Sequence, residues 1–264
     1  MQQELSVVGK RLPRLEGAEK ATGRAIYGQD LRRPGMLMGK MLLSRYAHAR
    51  ILSIDTSRAE ALPGVKAIIT GRDLPPGYHG QSVKDETLLA TDRVRYLGEI
   101  VAVAAAVDED TAQRAVDLIE VEYEELPAVF DPYEAMAEGA PILHPDLGSY
   151  RAAKVAKGSG NVCTRTLISK GDVEEGFRQA DFVFEDTFRT QMVHQGYLEP
   201  HAALAEVDEG GHVTVWTTTQ GPFSIRAQLA EIFRLSMSRI RVIGVRCGGG
   251  FGGKSRSLVA PFCV

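Results

Sequence analysis

The period of the apolar positions changes along this chain, and each change marks an element. Gly35–Leu43 (GMLMGKMLL) is short and mostly apolar, which predicts a buried strand. Arg50–Asp55 alternates like a strand, although Ile51 and Ile54 fall out of phase. Leu62-Pro63-Gly64 marks a turn before a strand at Val65–Ile69. A loop follows between Leu74 and Leu88, carrying Pro75, Pro76, Gly77 and Gly80, and strand character returns at Ile100–Ala105. The period then changes to that of a helix. Ala112, Ala115, Val116 and Ile119 stand at i, i+3, i+4 and i+7, one buried face, with Asp108 or Asp110 in place to cap it. Val121–Glu124 alternates again. The order β-β-β-α-β describes a compact α/β unit.

Residues 131–171 are looser, with Pro132, Pro141, Pro145, Gly148, Gly158 and Gly160, and read as a linker. A second unit begins near Gly171. Asp172 is placed to cap a short helix whose first turn carries Glu174 and Glu175, favourable to the helix dipole. Phe182–Thr190 reads as a strand, and Val213–Thr219 as another. Pro222 suits the first turn of a helix striped by Ile225, Leu229, Ile232 and Phe233. A strand at Ile240–Val245 then leads into a run of glycines. The chain thus divides into an arm (1–18), a first α/β domain (19–130), a linker (131–171) and a second domain (172–264).

Composition narrows the function classes. In 264 residues, 44% hydrophobic and 25% charged, there is enough apolar material for a sizeable core. A net charge of −3 with no long basic run argues against a nucleic-acid groove. No stretch approaches the roughly 18 consecutive apolar residues of a membrane span. The N-terminal residues lack the charged-then-apolar order of a secretory signal. The three cysteines, Cys163, Cys247 and Cys263, are too few and scattered for a disulfide framework or a zinc site. Together these point to a reducing cytoplasmic compartment.

The chemistry concentrates at Cys247–Val264, CGGGFGGKSRSLVAPFCV. Gly248–Ser255 satisfies the phosphate-loop pattern G-x-x-x-x-G-K-S, and a β-branched strand precedes it. That makes a P-loop nucleotide-binding protein one reading. Against it, such a loop needs further βα units and an acidic strand end to hold the metal, and only Arg256–Val264 follow. Gly248, Gly249, Gly250, Gly252 and Gly253, interrupted by Phe251, cost too much chain entropy for an ordinary turn. Consecutive peptide N–H groups without side chains cradle anionic ligands, so a ligand is expected.

Several stretches resemble one family in collinear order. HQGYLEPHAALAEV (194–207), TTTQGPFSIRAQLAEIF (217–233) and CGGGFGGKS (247–255) resemble the cofactor-binding subunit of molybdenum hydroxylases, the xanthine dehydrogenase and aldehyde oxidase group. GRAIYGQDL (23–31), LSRYAHARILSIDTSRAEALPGVKAIITGRDLP (43–75), VRYLGEIVAVAAA (94–106) and AVDLIEVEYEELPAVFDP (115–132) are similar to its α/β-hammerhead domain. The resemblance implies an α/β (α+β) fold, hammerhead first and then an incomplete molybdenum-cofactor-binding domain. It implies oxidation of aldehydes or N-heterocycles with water as oxygen source.

It also implies site residues. The cofactor would be bound by Gln220, Gly249, Gly250, Phe251, Gly252 and Gly253. Gln220 matches a glutamine that hydrogen-bonds a molybdenum oxygen, the Gly252 amide would point at a metal oxygen, and Phe251 would stack over the substrate space. An uncharged amide donates without adding a charge that disturbs the metal. Ser255 stands where xanthine-oxidising members carry glutamate; a neutral hydroxyl is a weaker handle for a purine. The cofactor implied is molybdenum–molybdopterin; no fingerprint of a cytosine dinucleotide tail can be read, so that form stays open. FAD and 2Fe–2S clusters would sit on partner subunits. The family subunit continues beyond Val264, and its catalytic glutamate lies there, so no catalytic residue is assigned here. A chain ending at Val264 would be inactive alone, or completed by a second chain.

Other residues have plainer readings. Glu199, before Pro200, reads as a structural acceptor rather than a base. His194 and His201 lack a third ligand at metal-binding spacing and read as hydrogen-bonded strand-edge histidines. Cys247 reads as a small buried residue. A non-catalytic module that keeps the hammerhead to bind partners is the third reading.

Overall fold

A stretch that is apolar on both faces has to be covered on both, and Ile100–Ala106 (IVAVAAA) meets that demand as a central strand. The computed structural model describes residues 5–80, 83–151, 160–256 and 258–264. In chain order its first elements are α1 (Gly17–Ala21), β1 (Met38–Leu43), β2 (Ala49–Asp55), α2 (Ser57–Glu60), β3 (Val65–Thr70), the two-residue β4 (Arg93–Val94), β5 (Ile100–Ala106), α3 (Glu109–Leu118) and β6 (Glu120–Glu125). β5 pairs antiparallel with β1 on one edge and β3 on the other. β2 lies between β4 and β6 in a second sheet.

Alternation along β5 sends its side chains to two clusters. Ala102 and Ala104 pack with Ala59, Ala115, Val116 and Ile119, so α3 closes on the sheet through alanines. Val101 joins Ala49, Ile51, Ala90 and Val94 in the other. The four helix positions read from the 3.6 period are all buried. Of the two candidate caps, Asp108 is the one used: its carboxylate accepts the Thr111 N–H at 2.7 Å. The phase problem in β2 has a local cause. Its pairing with β6 shifts register between Ile51 and Ser53, so Leu52 is an extra residue. Ile51 and Ile54 therefore both reach the same apolar cluster.

The division by contacts gives two compact units. One is Gly35–His194 with Glu231–Phe233; the other joins the described residues up to Pro34 to Gln195–Ala230 and Arg234–Val264. Within the first, α4 (Pro132–Met136) and α5 (Val173–Gln179) follow β6. α5 is capped as expected, Asp172 accepting from Glu175 N at 2.9 Å. Asn161 is bonded to the chain that leaves α4: its amide donates to the Ala135 and Pro141 carbonyls and accepts from Leu143 N. The strand expected at Phe182–Thr190 is not formed: the segment carries no ladder, and Phe182, Phe184 and Phe188 are exposed. Alternation marks what can pair, and among the described residues nothing supplies the neighbouring edge.

The second unit holds β7 (Ala203–Val207), β8 (Val213–Thr217), α6 (Pro222–Phe233) up to Ala230, and β9 (Ile240–Gly244). The sheet order is β7-β8-β9, with β7 antiparallel and β9 parallel to β8. Joining two adjacent parallel strands requires a crossover, which α6 provides. Residues 19–34 lie on this unit. Gly28 sits where a Cβ would come within 2.8 Å of Ala202, Arg33 lies 4.7 Å over the Trp216 ring, and Glu19 pairs with Arg246 at 2.9 Å. Among the described residues, no helix is long and apolar enough to cross a membrane.

Two outcomes check this account of the first unit. Because α3 meets β5 through alanines, Ala115→Leu should overpack the contact and lower unfolding free energy by about 1–3 kcal/mol in urea denaturation. Burial pushes the Glu99 carboxyl above its ordinary range, against the pull of the Arg95 amide and guanidinium. The folded state then holds more protons than the unfolded one, so stability falls as pH rises from about the ordinary glutamate value of 4.3 through the raised one. Glu99→Gln should remove that slope. Its advantage over the parent should grow from pH 4.5 upward and level off; parallel pH profiles would contradict the assignment.

Candidate functional site

Parallel strands β8 and β9 end at the same edge of their sheet, and the chain leaving each carries one half of the site. Beyond β8, Thr218 and Thr219 stay buried and Gln220 emerges just before Pro222 starts α6. Beyond β9 comes the glycine run. The carboxyl ends of adjacent parallel strands are where open α/β sheets bind ligands, because the two exits create a crevice.

Two short hydrogen-bond sets bring the exits together. The Gln220 side-chain oxygen accepts the N–H of Gly252 at 3.1 Å and of Lys254 at 3.2 Å. Gln220 N donates to the Lys254 carbonyl at 2.9 Å, and the Thr219 hydroxyl donates to the same carbonyl at 3.2 Å. With its oxygen committed to the loop, what Gln220 has left to offer is its NH2, a pair of donors. The run folds tightly, Gly253 N donating to Gly250 O at 2.7 Å. Among the described residues, the N–H groups of Gly249, Gly250 and Phe251 have no acceptor, Gly250 being buried and Phe251 exposed, and successive unsatisfied backbone donors suit an anionic or oxo-rich group.

The glycines are there for contact as much as for turning. A Cβ on Gly248 would meet Glu199 Cβ at 2.7 Å, one on Gly250 the Gln220 oxygen at 2.6 Å, and one on Gly253 the Tyr197 ring at 2.6 Å. Gly252 has open space but φ of +91°, and Phe251 itself adopts φ of +50° with its ring exposed. Ser255 is half-buried beside the loop.

Beneath the run lies the segment Tyr197–His201. Glu199 Oε2 accepts the Gly248 N–H at 2.6 Å and the Lys254 ammonium at 2.8 Å. Lys254 is fully buried, its ammonium also 4.9 Å from the centre of the Tyr197 ring. The Tyr197 hydroxyl is 2.9 Å from His201 Nε2. Glu199 is thus the acceptor its position before proline suggested. His201 has a ring hydrogen bond, and no group of three or more metal-binding side chains occurs among the described residues. Cys247 departs from expectation: it is half-buried, its thiol donating to the Gly249 carbonyl at 3.2 Å. The missed feature is the partner of Lys254. Glu199 is far away in sequence, and a lone lysine after glycines advertises a phosphate, not a buried ion pair.

Comparison with known proteins gives these residues their context. A family model described as the aldehyde oxidase and xanthine dehydrogenase a/b hammerhead domain matches residues 22–127, and one described as the molybdopterin cofactor-binding domain matches 156–264. The two models together span most of the chain, which belongs to the aldehyde oxidase and xanthine dehydrogenase family. It is 38% identical over 252 residues to a probable xanthine dehydrogenase subunit of Bacillus subtilis, covering 95% of this chain and 32% of the relative. It is 35% identical over 265 residues to the nicotinate dehydrogenase large molybdopterin subunit of Eubacterium barkeri, covering 100% of this chain and 59% of the relative. The solved CO dehydrogenase of Oligotropha carboxidovorans superposes with TM-score 0.88 at 35% identity, over 97% of this chain and 33% of that one. The chain therefore spans between about a third and three fifths of these relatives.

The surroundings of the glycine run do not fit a phosphate loop. The lysine that would reach phosphates is enclosed against Glu199. Lys254 and Ser255 open no α-helix, as a phosphate-loop lysine and serine would. Millimolar Mg-ATP should therefore leave the melting temperature unchanged; a ligand that binds only the folded state would raise it.

Proposed function

We propose that this chain supplies one wall of a molybdenum–molybdopterin site in an enzyme that oxidises aldehydes or N-heterocycles, with water as the oxygen source. One observation carries the reading. Gln220 is held by two loop amides through its oxygen, which leaves its NH2 uncommitted next to the acceptor-less N–H groups of Gly249, Gly250 and Phe251. This is a donor-rich, uncharged wall, which suits a group bearing oxo and thiolate atoms. The bound cofactor supplies two-electron redox chemistry and oxygen transfer.

This chain's own residues position and shape. Gln220 would hold the cofactor through its side-chain NH2. The backbone of Gly249–Gly253 would lie against the cofactor; the Gly252 amide, expected to face a metal oxygen, instead donates to Gln220, because that side-chain oxygen sits beneath it. Phe251, exposed on its left-handed backbone, would wall the substrate space. Ser255 offers the substrate a neutral contact worth about 0.5–1.5 kcal/mol. No residue here is given the role of the base that activates water; Glu199 already anchors the loop. We further propose domain boundaries near residues 130 and 172, a cytoplasmic setting, and electron transfer to iron–sulfur and FAD-binding partner subunits.

Metal analysis of the purified enzyme containing this chain should find molybdenum and a pterin. Gln220→Ala should lower turnover by about 10²-fold or more, the cost of removing one preorganised donor, while the fold is retained by circular dichroism. A molybdenum-free enzyme with full activity would overturn the reading.

A further inference from the structure

Five glycines in six positions give a backbone with little preference of its own, so its shape depends on what it is bonded to. Besides the Gln220 and Thr219 bonds on one side, one oxygen atom beneath the run ties its two ends together. Glu199 Oε2 accepts from the first residue of the run, Gly248, at 2.6 Å, and from the side chain of the residue just after its end, Lys254, at 2.8 Å. Both ends are thereby fixed to one point. The other oxygen, Oε1, is buried and has no partner, so these two bonds alone orient the carboxylate.

The ion pair is enclosed. Lys254 has none of its surface exposed and the Glu199 side chain retains 11%. Among the described residues, no other group accepts from that ammonium; its remaining neighbour is the Tyr197 ring. Tyr197 also packs under the loop, its ring where a Gly253 Cβ would go and its own Cβ near that of Gly249. Removing either charge would leave the other buried and uncompensated, a strongly unfavourable state, whereas removing both need not be.

We infer that Glu199 and Lys254 form a charge-locked clasp that positions the glycine run, Glu199 being the positioning residue for the acceptor-less N–H groups of Gly249–Phe251. The consequence for a molybdenum cofactor rests on the function proposed above; the clasp itself does not. Residues 197–201 are, on this view, the template of the loop, and the lysine that imitates a phosphate ligand is its fastener.

The test is amide hydrogen exchange by mass spectrometry on the full chain, as parent, Glu199→Gln, Lys254→Met and the double variant. Peptides spanning 247–256 should exchange about tenfold or more faster in each single variant, while peptides from 100–119 should not change. The double variant should return to within about threefold of the parent, because it restores a neutral pair. Should the single variants fail to fold, recovery of a soluble, protected double variant supports the clasp equally. Unchanged exchange at 247–256 in the single variants, or a double variant no better than they are, would overturn it. Molybdenum content of the enzyme assembled from each variant is measured alongside. If the exchange pattern holds but even the parent enzyme contains no molybdenum, the clasp stands and the cofactor reading falls.

Discussion

Everything at the site depends on β8 and β9 being parallel neighbours. That one pairing brings two segments, far apart in sequence, out at the same edge. A glutamine leaving one strand can then bind the backbone leaving the other. An antiparallel pair would send the two exits to opposite ends of the sheet, and neither Gln220 nor the glycine run could form a wall alone. The crossover helix α6 is what permits the pairing, and Pro222 at its first turn sets how soon after Gln220 the chain must turn away.

The same economy governs the first unit. Its core admits α3 at short range because the facing positions are alanines, Ala102 and Ala104 on the strand and Ala115 on the helix. Small side chains contribute little area each, so this contact depends on closeness rather than bulk. The bulge at Leu52 plays the complementary part. It turns a strand whose pattern is out of phase into one that points both Ile51 and Ile54 inward.

Much of this was legible in the sequence, for identifiable reasons. The helix of α3 and its cap, the β8-α6-β9 crossover and the glycine run all leave local signals: a period, a capping aspartate, a proline, a string of glycines. Gln220 carries no local signal and was found only through resemblance. The Phe182–Thr190 segment shows the limit from the other side, since alternation records a capacity to pair and pairing needs a second edge. The anchoring of Lys254 was out of reach for a related reason. An ion pair across the fold has no period, and the lysine's neighbours spelled a different motif.

Phe251 is the only residue of the run that bears a side chain, and it does so at a left-handed φ that most residues avoid. At Gly248, Gly250 and Gly253 a first carbon would already collide, and at Gly249 and Gly252 the backbone angle discourages one. The loop's freedom to change by mutation is therefore confined to a single position. A lineage that needed a different wall, larger, smaller or more polar, could obtain it from this run by altering residue 251, while the backbone donors on either side stayed in place. Rigidity in the glycines and variability in the phenylalanine are in that sense one arrangement, separating what must be inherited from what can be tuned.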